Sequence, residues 1–189
     1  PAWRLLEESY GDAILSRYPM SLVRSGQLPQ RGARREPRGA IWVQIEPHAG
    51  ANLQVINTHL SLYPRERNRQ AAALVSDWVR AATERGSVIV CGDFNAPPNS
   101  PAYRCLGEQV RDVQTYNVTG RPAPTYFSPK PLARIDHIFV SENISVKDTR
   151  VMNSRLARTA SDHLPLIADL VVPYRNVDVE PSSASVQRV

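Results

Sequence analysis

Four places in the chain set an acid, an amide or an imidazole where an apolar run gives way to a loop. They are Asn57-Thr58-His59, Gly92-Asp93-Phe94-Asn95, Arg134-Ile135-Asp136-His137 and Ser161-Asp162-His163. A sheet interior cannot hold such groups without partners, but its rim can present them. Together they supply carboxylates, amides and imidazoles enough for a hard divalent cation and an acid–base pair. Each residue also has an ordinary use. Asp93 and Asn95 suit a turn after a strand, and Asp162 can cap a turn before one. His137, inside an alternating strand, reads as a hydrogen-bonded structural histidine, and His48, in a Pro-His-Ala-Gly turn, carries no role.

The elements that must position these residues are legible as short runs rich in β-formers: Ala13–Leu15, Gly39–Ile45, Leu53–Thr58, Ser87–Cys91, Ile135–Val140, Ile144–Val151 and Leu164–Val172. Between the third and fourth, Ala71, Leu74, Val75, Trp78, Val79 and Ala82 recur at helical spacing within Pro64–Arg85. Pro64 suits the first turn of that helix and Gly86 its end. A shorter helix is expected from Ser100, as N-cap, to Gly107. Strands in succession, interrupted by a helical crossover, predict α/β layering with sheets packed together and helices outside.

Composition narrows the class. With 189 residues, 42% hydrophobic and 22% charged, the chain has the balance of one globular domain rather than of a disordered segment. No apolar run approaches the roughly 18 residues of a membrane span. Two cysteines, Cys91 and Cys105, exclude a disulfide framework and a four-cysteine zinc site, and fit a reducing, cytoplasmic setting. The formal charge of +5 is concentrated in Arg31, Arg34, Arg35 and Arg38, opposed locally by Glu36 alone. That Gly- and Pro-rich segment reads as a solvated connector, with phosphate contact as the other reading. A uniformly basic nucleic-acid binder is excluded.

The spellings Gly11–Met20 (GDAILSRYPM), Asn57–Leu60 (NTHL), Gly92–Ala96 (GDFNA), Arg134–Ser141 (RIDHIFVS) and Ser161–Pro165 (SDHLP) stand in an order that resembles the endonuclease/exonuclease/phosphatase superfamily. The resemblance runs from Gly11 to Val172. It implies an α/β deoxyribonuclease-like fold, two sheets in a sandwich flanked by helices, over residues 1–172, followed by a flexible tail at 173–189. It implies a metal-dependent hydrolase of phosphoesters, phosphodiesters foremost, using Mg²⁺ or Mn²⁺. Asp162 and Asp93 become metal ligands. Asp93 and Asn95 orient the attacking water and the phosphate, Asp136 holds His163 against the phosphate, and His59 is the second imidazole. Substrates in that class include small phosphodiesters, phospholipid headgroups and nucleic acids, and a monomer without a stable protein partner is expected. A DNA endonuclease or exonuclease is the nearest alternative, and a catalytically inactive binding domain of the same fold is the alternative from another class.

Two departures stand out. Asp12 occupies a position where relatives often carry Asn. The family's opening strand and its Gln-Glu pair, whose Glu is a principal metal ligand, have no counterpart here, because Glu7 and Glu8 lie too close to the Gly11 motif. The resemblance therefore implies that N-terminal strands of one sheet are missing. These 189 residues alone are expected to bind Mg²⁺ poorly and to turn over little, while a version extended upstream of Pro1 is active. Hydrolysis of bis-p-nitrophenyl phosphate by the two checks this; equal, EDTA-sensitive rates would sink it.

Overall fold

The computed structural model describes residues 3–5, 8–30, 32, 36–48, 50–116 and 121–173. Arg31, Arg34 and Arg35 of the basic segment lie outside them, as does the expected tail beyond residue 173. In chain order the elements are β1 (Trp3–Leu5), β2 (Glu8–Tyr10), β3 (Met20–Gln27), β4 (Gly39–Ile45), β5 (Leu53–His59), α1 (Pro64–Leu74), α2 (Arg80–Thr83), β6 (Ser87–Asp93), α3 (Pro101–Gly107), β7 (Arg111–Asp112), α4 (Val113–Tyr116), β8 (Asp136–Val140), β9 (Ser145–Val151), α5 (Arg155–Ala160) and β10 (Leu166–Val171). Six strands form one mixed sheet in the order β3-β4-β5-β6-β8-β7, and β1-β2 and β9-β10 form two-stranded sheets.

Strands buried on both faces read as unbroken apolar strings, because neither set of alternate side chains meets water. The central strands are of this kind. Trp42, Ile56, Val88, Val90 and Phe139 face the helices, joining Leu74, Trp78, Val79 and Leu106 in one core. Val43, Ile45, Leu53, Val55 and Val140 face the other way, into a second core that Val146, Ala168 and Leu170 of the β9-β10 sheet cover in part. This is the expected α/β sandwich with helices on one side.

The helical crossover forms as its pattern requires. Pro64 occupies the first turn, and all six apolar residues of the stripe are in the helix-side core. A π-helical turn, Val75–Val79, joins α1 to α2. At that turn the Asp77 carbonyl accepts Arg24 Nη1 at 2.9 Å, and the Arg24 guanidinium lies 4.1 Å from the Trp78 ring centre. Arg24 sits where the β3–β4 register shifts. Ser100 caps α3, accepting the Tyr103 N–H.

Two readings are corrected. Ala13–Leu15 is not a strand: its Ala13 carbonyl accepts a side chain, Asn57 Nδ2 at 3.0 Å, and Leu15 is 96% exposed. Strand β3 escaped the pattern search because nearly every residue in it is exposed, so no apolar period marks it.

Strand β5 runs parallel to β6, and β6 antiparallel to β8. This register aligns His59 with Asp93, and Asp93 with Asp136. One residue earlier on β6, Gly92 has φ of 137°, and a Cβ there would stand 1.9 Å from the Thr58 carbonyl oxygen. Only glycine lets the two strands close at this point. Gly92→Ala is expected to cost about 3 kcal/mol or more, measured by urea unfolding. A loss below about 1 kcal/mol would show that the strands can part there without penalty.

Candidate active-site cleft

Because side chains alternate along strands, aligned residues on neighbouring strands share a face. His59, Asp93 and Asp136 therefore form one row at the rim of the sheet. Two carboxylates directly opposite one another repel, and each is met by an imidazole. His59 Nε2 lies 3.2 Å from Asp93 Oδ2, and His163 Nδ1 lies 2.8 Å from Asp136 Oδ2. His163 Nε2 is 3.9 Å from Asp93 Oδ2, so the second imidazole spans both acids. Behind His59, the buried Arg38 places Nη1 2.8 Å from Nδ1. A guanidinium only donates, so Nδ1 accepts and the His59 proton sits on Nε2, aimed at Asp93. Arg38 also pairs with Glu36 at 3.0 Å.

The loops carrying these groups are braced. The Asn95 N–H donates to Asp93 Oδ1 at 2.8 Å, with Asn95 itself at φ of 47°, and its Nδ2 donates to the Leu60 carbonyl at 2.9 Å. Asn tolerates that left-handed backbone better than most residues. On the other side, the Ser128 N–H donates to the Asp162 carbonyl at 2.7 Å and its hydroxyl to the Ser161 carbonyl at 2.6 Å. The Tyr126 ring rests 4.8 Å from the His163 ring. His137 points to the opposite face, is 1% exposed, and has Nε2 2.8 Å from the Ala96 carbonyl.

Charge follows geometry. Burial raises the Asp93 pKa, but hydrogen bonds from His59 and from the Asn95 backbone, with the nearby imidazoles, bring it below the usual carboxylate value. Burial works against a charged His163, yet its bond to Asp136 and the charges of Asp136, Asp93 and Asp162 lift its pKa above 6.5. Asp12 is pushed up to about 6 by burial, against the opposing pull of His59 and Arg38. One oxygen each of Asp93 and Asp136 and one nitrogen of His163 fall within 4.8 Å of one another, a spacing that can hold a cation.

The structure brings His59, Asp93, Asn95, Asp136, Asp162 and His163 to one cavity of about 520 Å³. Asp162 lines it outside the tight three-residue cluster. Four further residues line it, Arg38, Leu62, Tyr126 and Ile135; of these the sequence marks Arg38 only as part of the basic segment and Ile135 only as part of a strand, and Leu62 and Tyr126 not at all. Arg38 was findable, since it is a polar residue at the threshold of an apolar strand, the criterion that found the others. Tyr126 and Leu62 reach the cavity by loop folding that no periodicity records.

The model of the endonuclease/exonuclease/phosphatase family matches residues 6–163. The uncharacterised protein YbhP of Escherichia coli is 34% identical over 166 residues, covering 87% of this chain and 64% of that protein. The chain thus spans just under two thirds of the length of these curated relatives. Among solved structures, an endonuclease/exonuclease/phosphatase from Bacteroides vulgatus superposes with a TM-score of 0.67 at 21% identity, over 82% of this chain and 67% of that one. A mannosyl-6-phosphatase from Bacteroides thetaiotaomicron superposes with a TM-score of 0.63 at 23% identity, over 80% and 67%. Both share the fold.

A raised histidine pKa stabilises the fold below the unfolded value of 6.5, and that gain is lost as pH rises through the folded value. In metal-free protein, Asp136→Asn is therefore expected to lower the His163 pKa, read by NMR titration. Its stability deficit should be largest between the carboxylate range and pH 6.5 and shrink at higher pH. An unchanged His163 titration would remove Asp136 as the cause.

Proposed function

The chain belongs to the endonuclease/exonuclease/phosphatase family, and on that premise we propose that it hydrolyses phosphoesters, phosphodiesters foremost, by attack of water on phosphorus aided by a divalent metal. The observation that carries this reading is the row His59, Asp93, Asp136, closed by His163 and backed by Arg38. It supplies acceptors for the protons of water and donors for phosphate oxygens within one cavity.

The donor set suits a hard cation. Asp93, Asp136 and Asp162 outnumber Arg38 and His163, a surplus of negative charge that repels a phosphate anion until offset. Asp162 and Asp93 are the proposed ligands for Mg²⁺ or Mn²⁺, with Asp136 and His163 adjoining. When bound, such an ion neutralises phosphate charge and polarises the phosphorus–oxygen bonds.

The remaining roles fall to the chain's own side chains. Asp93, held at Oδ1 by the Asn95 N–H and at Oδ2 by His59, is fixed to accept a proton from water. Asn95, braced on the Leu60 carbonyl, orients the scissile phosphate together with Asp93. His163, its Nδ1 on Asp136, turns Nε2–H into the cleft, where it binds a phosphate oxygen or gives its proton to the leaving oxygen. His59 presents the second imidazole, its proton held on the cleft side by Arg38.

The deciding assay is release of p-nitrophenolate from bis-p-nitrophenyl phosphate with Mg²⁺ by the protein extended upstream of Pro1. EDTA should abolish turnover, and His163→Ala and Asp93→Asn should each reduce it by at least ~10²-fold with the fold retained. Turnover that ignores EDTA, or variants near the unaltered rate, would overturn the proposal.

A further inference from the structure

The floor of the cleft is charged, but its shoulder is not. Leu62 lines the cavity and is nevertheless 67% exposed, so its side chain contributes little to the protein's own core. It is not loose. The Ser61 N–H donates to the buried Gln70 Oε1 at 2.8 Å, the Tyr63 N–H donates to the Ser61 hydroxyl at 3.2 Å, and the Leu62 carbonyl accepts Arg67 Nη1 at 3.3 Å. An apolar side chain presented to water on a braced turn beside a reactive site gains by being covered by a ligand.

Tyr126 is braced in the same way, paired by backbone with Ala133 and with His163. Its ring lies 4.8 Å from His163 and 5.7 Å from the exposed Phe127, at 68° to the latter. Ile135 completes the apolar part of the lining.

We propose that Leu62 and Tyr126 form a subsite that selects phosphate esters whose ester group is a flat aromatic ring with an apolar face, such as an aryl group. The inference rests on the phosphoester reading of the cleft. A sugar or polyol would bring hydroxyls against Leu62 and Ile135, which offer them no hydrogen-bond partner. A long acyl chain exceeds an apolar shoulder of three side chains in a cavity of about 520 Å³ that must also hold the phosphate. A planar ring covers Leu62 and meets the Tyr126 ring edge or face in the geometries aromatic pairs prefer.

Binding of two non-hydrolysable probes, phenylphosphonate and methylphosphonate, by the protein extended upstream of Pro1, measured calorimetrically with Mg²⁺ present, tests this without turnover. The protein is expected to bind the phenyl compound at least ~10-fold more tightly than the methyl one. Leu62→Ser should bring the two within ~3-fold, and Leu62→Phe should keep the preference. Equal affinity, binding of neither probe, or a preference untouched by Leu62→Ser would overturn the subsite. A ring preference in a protein that fails to hydrolyse the diester would instead overturn the catalytic reading and leave the subsite standing.

Discussion

Two carboxylates facing each other across an antiparallel pair are costly, and the cleft is organised around that one contact between Asp93 and Asp136. Each acid is compensated separately. His59 approaches Asp93 from the neighbouring parallel strand, and His163 approaches Asp136 from the loop before β10. Two imidazoles, with Arg38 behind one of them, offset the negative charge that the two acids bring together. Bringing these partners in requires parallel β5–β6 pairing, the glycine that closes it and the serine-braced loop at Asp162.

The opposite face of the same strand does complementary work. Strand alternation sends His137 away from Asp136, into the helix side, where it meets the Ala96 carbonyl and stands 3.4 Å from Asp112. Asp112 is bound there by Arg134 and by the Tyr103 hydroxyl. This buried network joins the loop after Asp93 to the strand that carries Asp136. Removing Asp112 or Arg134 alone would leave an uncompensated buried charge, a large penalty in most proteins. The spacing of the two acids is thus held from behind, by residues that never meet the cleft.

Much of this was legible in the sequence, for physical reasons. Central strands buried on both faces are apolar almost throughout, so Gly39–Ile45, Leu53–Thr58 and Ser87–Cys91 stand out in the sequence, and the polar residues that follow them, which the strands extend to include, sit at the rim. His137 was rightly separated from His163 by its place within a strand. What stayed hidden depends on contacts without a period. Strand β3 mixes Met20, Leu22 and Val23 with polar residues without a period, because most of it meets solvent. The Ala13–Leu15 run looked like a strand because apolar content alone does not supply a ladder. Arg38 was counted with the basic segment around it, and its burial against His59 is a tertiary fact that charge patterning does not carry.

The π-helical turn beside β3 has a consequence for how the molecule behaves among its own copies. Strand β3 ends the large sheet, and its outer side has no strand partner among the described residues. A long, regular edge of this kind is a template on which further chains can pair. Here the ladder is interrupted where the register shifts, and the arginine at that point is drawn back over Trp78 and onto the Asp77 carbonyl. An irregular edge carrying a cation is a poor surface for strand addition. The register shift, with Arg24 anchored on the helical turn, makes this edge a poorer template for a further strand than a regular ladder would be.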